Sequence, residues 1–259
     1  MQEQLRDKIE QLFEYRAFPE LYRLSGGSAA ELKNFHNQLV ELQARIYDLD
    51  EYLETNWELK DNKLKSFWIK IYQALQKLGI PSSKHTAYCS QIHKYQKHEA
   101  DLRLNLMPTR LNMEYFYFYK SCDVKLQRRL LIEKYPRLGS TFTSADWRYF
   151  DLVTEVNDDA TDLKEDTTTI NGNRLLISFY IHGKDKTQQE FDAFLNYVCA
   201  QSKQRYKGKE VAAFHKNIHF RTLEQAASTK TIIERAPLEI ITGTATLPFL
   251  HHLKPNVRA

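Results

Sequence analysis

Between Ser28 and Asn56 apolar residues return every three or four positions, so that Leu32, Phe35, Leu39, Leu42, Ile46, Leu49 and Leu53 share one stripe of a helix over about 28–55. Ser28 with Glu31 three residues on forms a capping box at its start. A stripe this long needs helical partners, and the chain supplies them. Leu5, Ile9, Leu12 and Phe13 mark a helix over 2–16, and Leu64, Phe67, Ile71, Leu75 and Leu78 one over 62–78 that Gly79 and Pro81 end. Further helices are predicted over about 83–105 after Ser82 or Ser83, and over about 110–134 between Pro108-Thr109 and Pro136-Gly139. Two more follow, from Ala145 to Thr168 behind a Thr143 or Ser144 cap, and over 187–206 capped by Thr187. Eight glycines and seven prolines in 259 residues leave few turns, which agrees with long elements and an all-α class.

The downstream third is less regular. Leu175–Ile181 is rich in β-branched and aromatic residues, and NGN at 171–173 suits a hairpin turn, so local pattern leaves strand and helix open there. The tail from 208 reads as helical at first and is unassigned after Pro237.

Composition narrows the function classes. The opening MQEQLRDKIE lacks an apolar leader segment, and the longest apolar runs, 115–119 and 175–181, are far below a membrane span, so a soluble, untargeted chain is expected. Three scattered cysteines with no CxxC fit neither a disulfide framework nor a zinc site and point to a reducing cytoplasm. The +4 net charge is spread along the chain, with no basic stripe for nucleic acid. No repeat and no linker before 206 divides it, so residues 1–259 read as one domain.

The chemistry lies in the helix expected over 145–168. Asn157, Thr161 and Glu165 stand at i, i+4 and i+8, which places an amide, a hydroxyl and a carboxylate in one row. Such oxygens suit magnesium, which keeps further positions for water and substrate phosphates, and Lys164 beside them can meet a phosphate. The plainer reading is a solvated acidic face, because Asp158, Asp159, Asp162 and Asp166 surround the row. His215 and His219, one helical turn apart, can share a metal but have no third ligand in any zinc pattern, and His93 and His98 lie off one face.

The string NDDATDLKED at 157–166 resembles the NDxxSxxKE metal motif of class I terpene synthases, with Thr161 in the Ser/Thr place. Asn173, then Gly183, then KTQQEFDAF resemble the family's stretch after that motif, which implies a helix over 174–182. KSCDV at 120–124 resembles the sensor, linker and effector segment. The resemblance makes Lys120 the diphosphate sensor, Asp123 the linker and Val124 the effector at a helix break. In YDLDEYLETNW, Asp50, Glu51 and Glu54 match the spacing of the aspartate-rich motif. Together these cover roughly 28–206. The chain departs from the pattern in being short, in Lys for the sensor Arg, in Val for the effector Gly, and in lacking a C-terminal Arg-Tyr pair, since neither Arg205-Tyr206 nor Arg235 fits.

The resemblance implies a single-domain isoprenoid synthase-like helical bundle around a central apolar cavity. Asp50, Glu51 and Glu54 would face Asn157, Thr161 and Glu165 across a magnesium cluster, commonly of three ions, with Lys120 and Lys164 on the diphosphate. Tyr115, Phe116, Tyr119, Trp147 and Phe150 are the candidates for an aromatic pocket lining. The substrate would be a C10, C15 or C20 allylic diphosphate, farnesyl diphosphate first, ionised and cyclised with loss of diphosphate, and the family reading leaves room for a homodimer. A trans-prenyltransferase or head-to-head condensing enzyme of the same fold, or an inactive helical scaffold, are the alternatives.

Overall fold

The structure, a computed structural model, describes residues 3–206, 213–242 and 247. Among them there is no strand, and no helix is long and apolar enough to cross a membrane. The helices are α1 (Glu3–Tyr15), α2 (Phe18–Ser25), α3 (Ala29–Thr55), α4 (Asp61–Lys77), α5 (His85–Tyr88), α6 (Ser90–Asp101), α7 (Met113–Lys120), α8 (Cys122–Lys134) and α9 (Pro136–Thr141). They continue with α10 (Arg148–Thr161), α11 (Leu163–Asp166), α12 (Arg174–His182), α13 (Lys184–Tyr206), α14 (Ala213–Glu234) and α15 (Leu238–Ile241). Backbone packing sorts them into two compact units, one of residues 1–96 and 122–144, the other of residues 97–121 and 145–259.

The first unit is built on α3, which packs against α1, α4 and α8. Its capping box forms as the sequence predicts: the Ser28 hydroxyl oxygen accepts from the Glu31 N–H, and the Glu31 carboxylate accepts from the Ser28 N–H at 3.1 Å. Phe35, Leu39, Leu42, Ile46, Leu49 and Leu53 are all buried. Burial of each such side chain contributes about 1.5–3 kcal/mol. Gly79 ends the turn after α4 at φ 84°, a conformation open to glycine. The short α2 was not foreseen. It follows Ala17, which takes the left-handed φ of 64° without a Cβ-free backbone, and it ends on Gly26 at φ 76°.

In the second unit α10 is the central helix, packed against α7, α12, α13 and α14. The segment left open as strand or helix is helical, α12. Asn173 caps it by accepting from the Leu176 N–H at 2.8 Å, and Gly183 closes it at φ 74°.

Four expected helices are corrected. The one over 83–105 is divided into α5 and α6 with 3-10 turns at either end. The one over 110–134 breaks at Ser121, whose hydroxyl donates back to the Phe118 carbonyl, and not at Val124, which lies inside α8. The one over 145–168 ends at Thr161 and resumes as α11. The one over 187–206 starts earlier, at Lys184, so Thr187 is a buried interior residue and not the cap.

Candidate functional site

From Phe150 to Asn157 every residue of α10 is buried, and Asp159 and Ala160 extend the burial. Such a helix should be apolar all round. Instead Asp151, Thr154, Glu155, Asn157 and Asp159 lie among Leu152, Val153 and Val156. A carboxylate removed from water is tolerated only where donors replace its hydration.

Asp159, which is fully buried, is supplied with donors by two segments, α7 and α12. Its Oδ2 accepts from the Tyr117 hydroxyl at 2.8 Å and from the Arg174 N–H at 2.9 Å, with the Leu175 N–H at 3.4 Å. Its Oδ1 accepts from the Lys120 ammonium. The carboxylate thus joins the end of α7, the middle of the NDxxTxxKE segment and the positive N-terminus of α12. Burial alone would push Lys120 down, but Asp159 and Glu155 reverse this and hold the ammonium well above its usual pKa. Burial, then the Asp159 charge, pushes the Tyr117 phenol far up.

The connection from α11 to α12 is tied to the same place. Asp166 accepts from the Asn171 amide at 2.5 Å and from the Asn173 amide at 2.6 Å, and Asn173 also donates to the Asp159 carbonyl at 2.8 Å. Burial, with Asp159 and Asp162 adding to it, pushes Asp166 up to about 6 against the Asn173 hydrogen bond and Lys120. The Gly172 N–H donates to the buried Glu99 carboxylate at 3.0 Å, and a Cβ at 172 would come within 2.6 Å of that carboxylate, so a larger residue would require the Glu99 side chain to shift.

The predicted metal row is divided. Asn157 and Thr161 stand on α10, while Glu165 and Lys164 are exposed on α11, beyond a bend at Asp162. The bend turns Leu163 inward, 2% exposed, and brings Asp166 to the two asparagine amides. Asn157 faces α14, its Oδ1 accepting from the Thr229 hydroxyl at 3.0 Å. The Thr161 hydroxyl donates to the Asn157 carbonyl at 3.0 Å, which leaves its oxygen lone pairs available. Asn157 Oδ1 has a second lone pair, and Glu165 is an exposed carboxylate; these are the oxygen donors a hard cation takes, but the bend sets Glu165 on a separate helix from the other two. Among the described residues no three His, Cys, Asp or Glu side chains gather as a metal site, so a cation here would depend on the amide and the hydroxyl.

The remaining predicted residues fall in both units. Asp50 and Glu54 are half-buried on one face of the last turns of α3, and Glu51 is exposed, all in the first unit. Asp123, also there, accepts from the Gln43 amide at 2.6 Å, and Val124 is buried. Lys120 and Asp123, three residues apart in sequence, take separate partners, Asp159 and Gln43. In the second unit Phe116, Trp147 and Phe150 are buried, with Trp147 edge-on to Phe214 and Arg221 over Phe150. Tyr115 and Tyr119 are half-buried around the His98 ring. His215 lies 3.7 Å from Asp146, and His219 contacts the Ser202 hydroxyl at 2.7 Å, so the two histidines turn to different partners.

Sequence reasoning placed Asp159 on a solvated acidic face, which its burial overturns, and passed over Tyr117, Glu99 and Asn171. The burial of Asp159 was legible: Leu152, Val156, Asp159 and Leu163 fall at i, i+4, i+7 and i+11, so Asp159 interrupts an apolar stripe and demands a buried partner. No family model, no curated protein and no solved structure matches the chain.

Proposed function

We propose that this chain is a magnesium-dependent terpene synthase that ionises an allylic isoprenyl diphosphate, farnesyl diphosphate being the first substrate to try. The observation that supports this reading is the contact between Lys120 and Asp159. Two segments that resemble the family's sensor and its metal motif, 39 residues apart in the chain, meet through these side chains.

In this reading Asn157, Thr161 and Glu165 hold magnesium. The metal, when bound, neutralises the charge that develops on the departing diphosphate. Lys120 and Lys164 donate to the diphosphate oxygens, contacts that strengthen as the leaving group becomes more negative. No nucleophilic side chain is needed. The carbocation must instead be kept from water, a task for apolar and aromatic side chains, for which the half-buried Tyr115 and Tyr119 are candidates.

The test is magnesium-dependent diphosphate release from C10, C15 and C20 diphosphates, with products identified by gas chromatography and mass spectrometry. Lys120→Ala should remove most turnover, and Lys120→Arg should keep it because Arg binds phosphate through two parallel hydrogen bonds. A prenyltransferase would instead release diphosphate only with isopentenyl diphosphate or a second allylic molecule present, and a scaffold would release none.

A further inference from the structure

We propose that Asp159 is a positioning residue for Lys120, holding its ammonium at the N-terminus of α12 so that the remaining N–H donors meet a phosphate anion. The inference rests on the diphosphate reading above and assigns a role to a position between the metal-motif residues.

Three features carry it. The two partners differ in exposure: the Asp159 side chain is 0% exposed and that of Lys120 is 20% exposed, so the pair is anchored from the carboxylate's side while the lysine side chain reaches the surface in part. An ammonium has three donors, and a single Asp159 oxygen takes one. The carboxylate cannot follow a displaced lysine, because its other oxygen is held by the Tyr117 hydroxyl at 2.8 Å and the Arg174 N–H at 2.9 Å. If Lys120 left for a ligand, Asp159 would keep a buried charge with only neutral donors, which is costly. One ammonium serving both Asp159 and the anion is the arrangement consistent with all three.

A purely electrostatic role predicts the opposite result, which makes the inference testable. Asp159 carries negative charge, so if it merely screened the site, Asp159→Asn would strengthen anion binding. If it positions Lys120, the loss of the anchoring oxygen outweighs the relief of repulsion and binding weakens, by about tenfold on the scale of outer residues that orient a ligating group.

The probe is inorganic pyrophosphate in magnesium chloride, titrated calorimetrically into the full chain as wild type, Asp159→Asn, Lys120→Ala and the double variant. The expected result is weaker binding for each single variant and no further loss in the double, because Asp159 acts through Lys120. Tyr117→Phe loosens the same carboxylate without touching its charge and should weaken binding a few-fold, which covers an Asp159→Asn protein that fails to fold. Unchanged or tighter binding in the variants, or additive losses in the double, overturns the positioning role while magnesium-dependent turnover by the wild type keeps the terpene synthase reading. Wild-type protein that neither binds pyrophosphate nor turns over any allylic diphosphate overturns both.

Discussion

The two long helices at the hearts of the two units solve burial in different ways. Helix α3 hides one apolar stripe, and its one fully buried polar side chain is Gln43. Helix α10 is about half as long, 14 residues against 27, yet buries five polar side chains, three of them carboxylic acids. A stripe can be stabilised by any well-shaped apolar neighbour, whereas a buried carboxylate fixes which donors surround it and where. The first unit therefore reads as packing, and the second as a place where position is enforced by charge and hydrogen bonds.

The largest expected effect tests that enforcement. Asp159→Ala removes the acceptor for Lys120, for the Tyr117 hydroxyl and for the Arg174 N–H together. A loss of about 3–5 kcal/mol is expected, the scale for removing one side of a buried ion pair. Urea unfolding followed by circular dichroism measures it. A change under about 1 kcal/mol would place Asp159 among ordinary surface acids.

The matched change in the first unit should cost less. Gln43 donates to Asp123 at 2.6 Å and accepts from the Gln127 amide at 3.0 Å. Gln43→Met keeps the volume, Asp123 is half-buried and can turn to water, and Gln127 retains the Leu39 carbonyl at 3.4 Å. The expected loss is about 1–2 kcal/mol by the same measurement. A loss equal to that of Asp159→Ala would erase the contrast between the two helices. Smaller again is the cap: Ser28→Ala should destabilise by about 1 kcal/mol, and Ser28→Gly by only a few tenths, because glycine is itself tolerated at that position.

What could be read beforehand follows the same division. The stripe of α3, its capping box and the Gly79 stop are local patterns whose causes lie within a few residues of sequence, and they formed as read. The interruption at Asp162 was missed because tertiary demands drive it: Leu163 must be buried and Asp166 must reach Asn171 and Asn173. Helix α2 was missed because Ala17 in a left-handed conformation announces nothing in sequence, although Pro19 near the helix start was a usable cue. Of the site, the residue types at 157, 161 and 165 were legible, but the bend that sets Glu165 apart and the partners of Lys120 were not. The second depends on Asp159, whose meaning appears only when a polar residue is noticed inside an apolar row.

The smallest expected effect is a dependence on pH, and it belongs to the first unit. His93 stacks on Trp68 with ring centroids 3.6 Å apart, and its Nε2 meets the Tyr72 hydroxyl at 3.0 Å. Burial lowers the pKa of His93, since the charged imidazolium loses hydration there. A base whose folded pKa lies below its unfolded value takes up its proton later in the folded state than in the unfolded one. Its contribution is therefore complete above the unfolded value of about 6.5 and is lost progressively as pH falls below it. The imidazole is partly open to solvent, so the loss should be modest and partly screened by salt. Between pH 7.5 and pH 5.5 the urea midpoint of the wild type should fall relative to that of His93→Gln, which cannot be protonated; the raised pKa of Asp166 favours the folded state as pH falls and acts equally in both proteins. Equal pH dependence in both proteins would assign the acid sensitivity to other groups. Lys120, by contrast, stays charged throughout this interval because Asp159 and Glu155 hold its pKa well above the usual value, so Lys120 adds no pH dependence there.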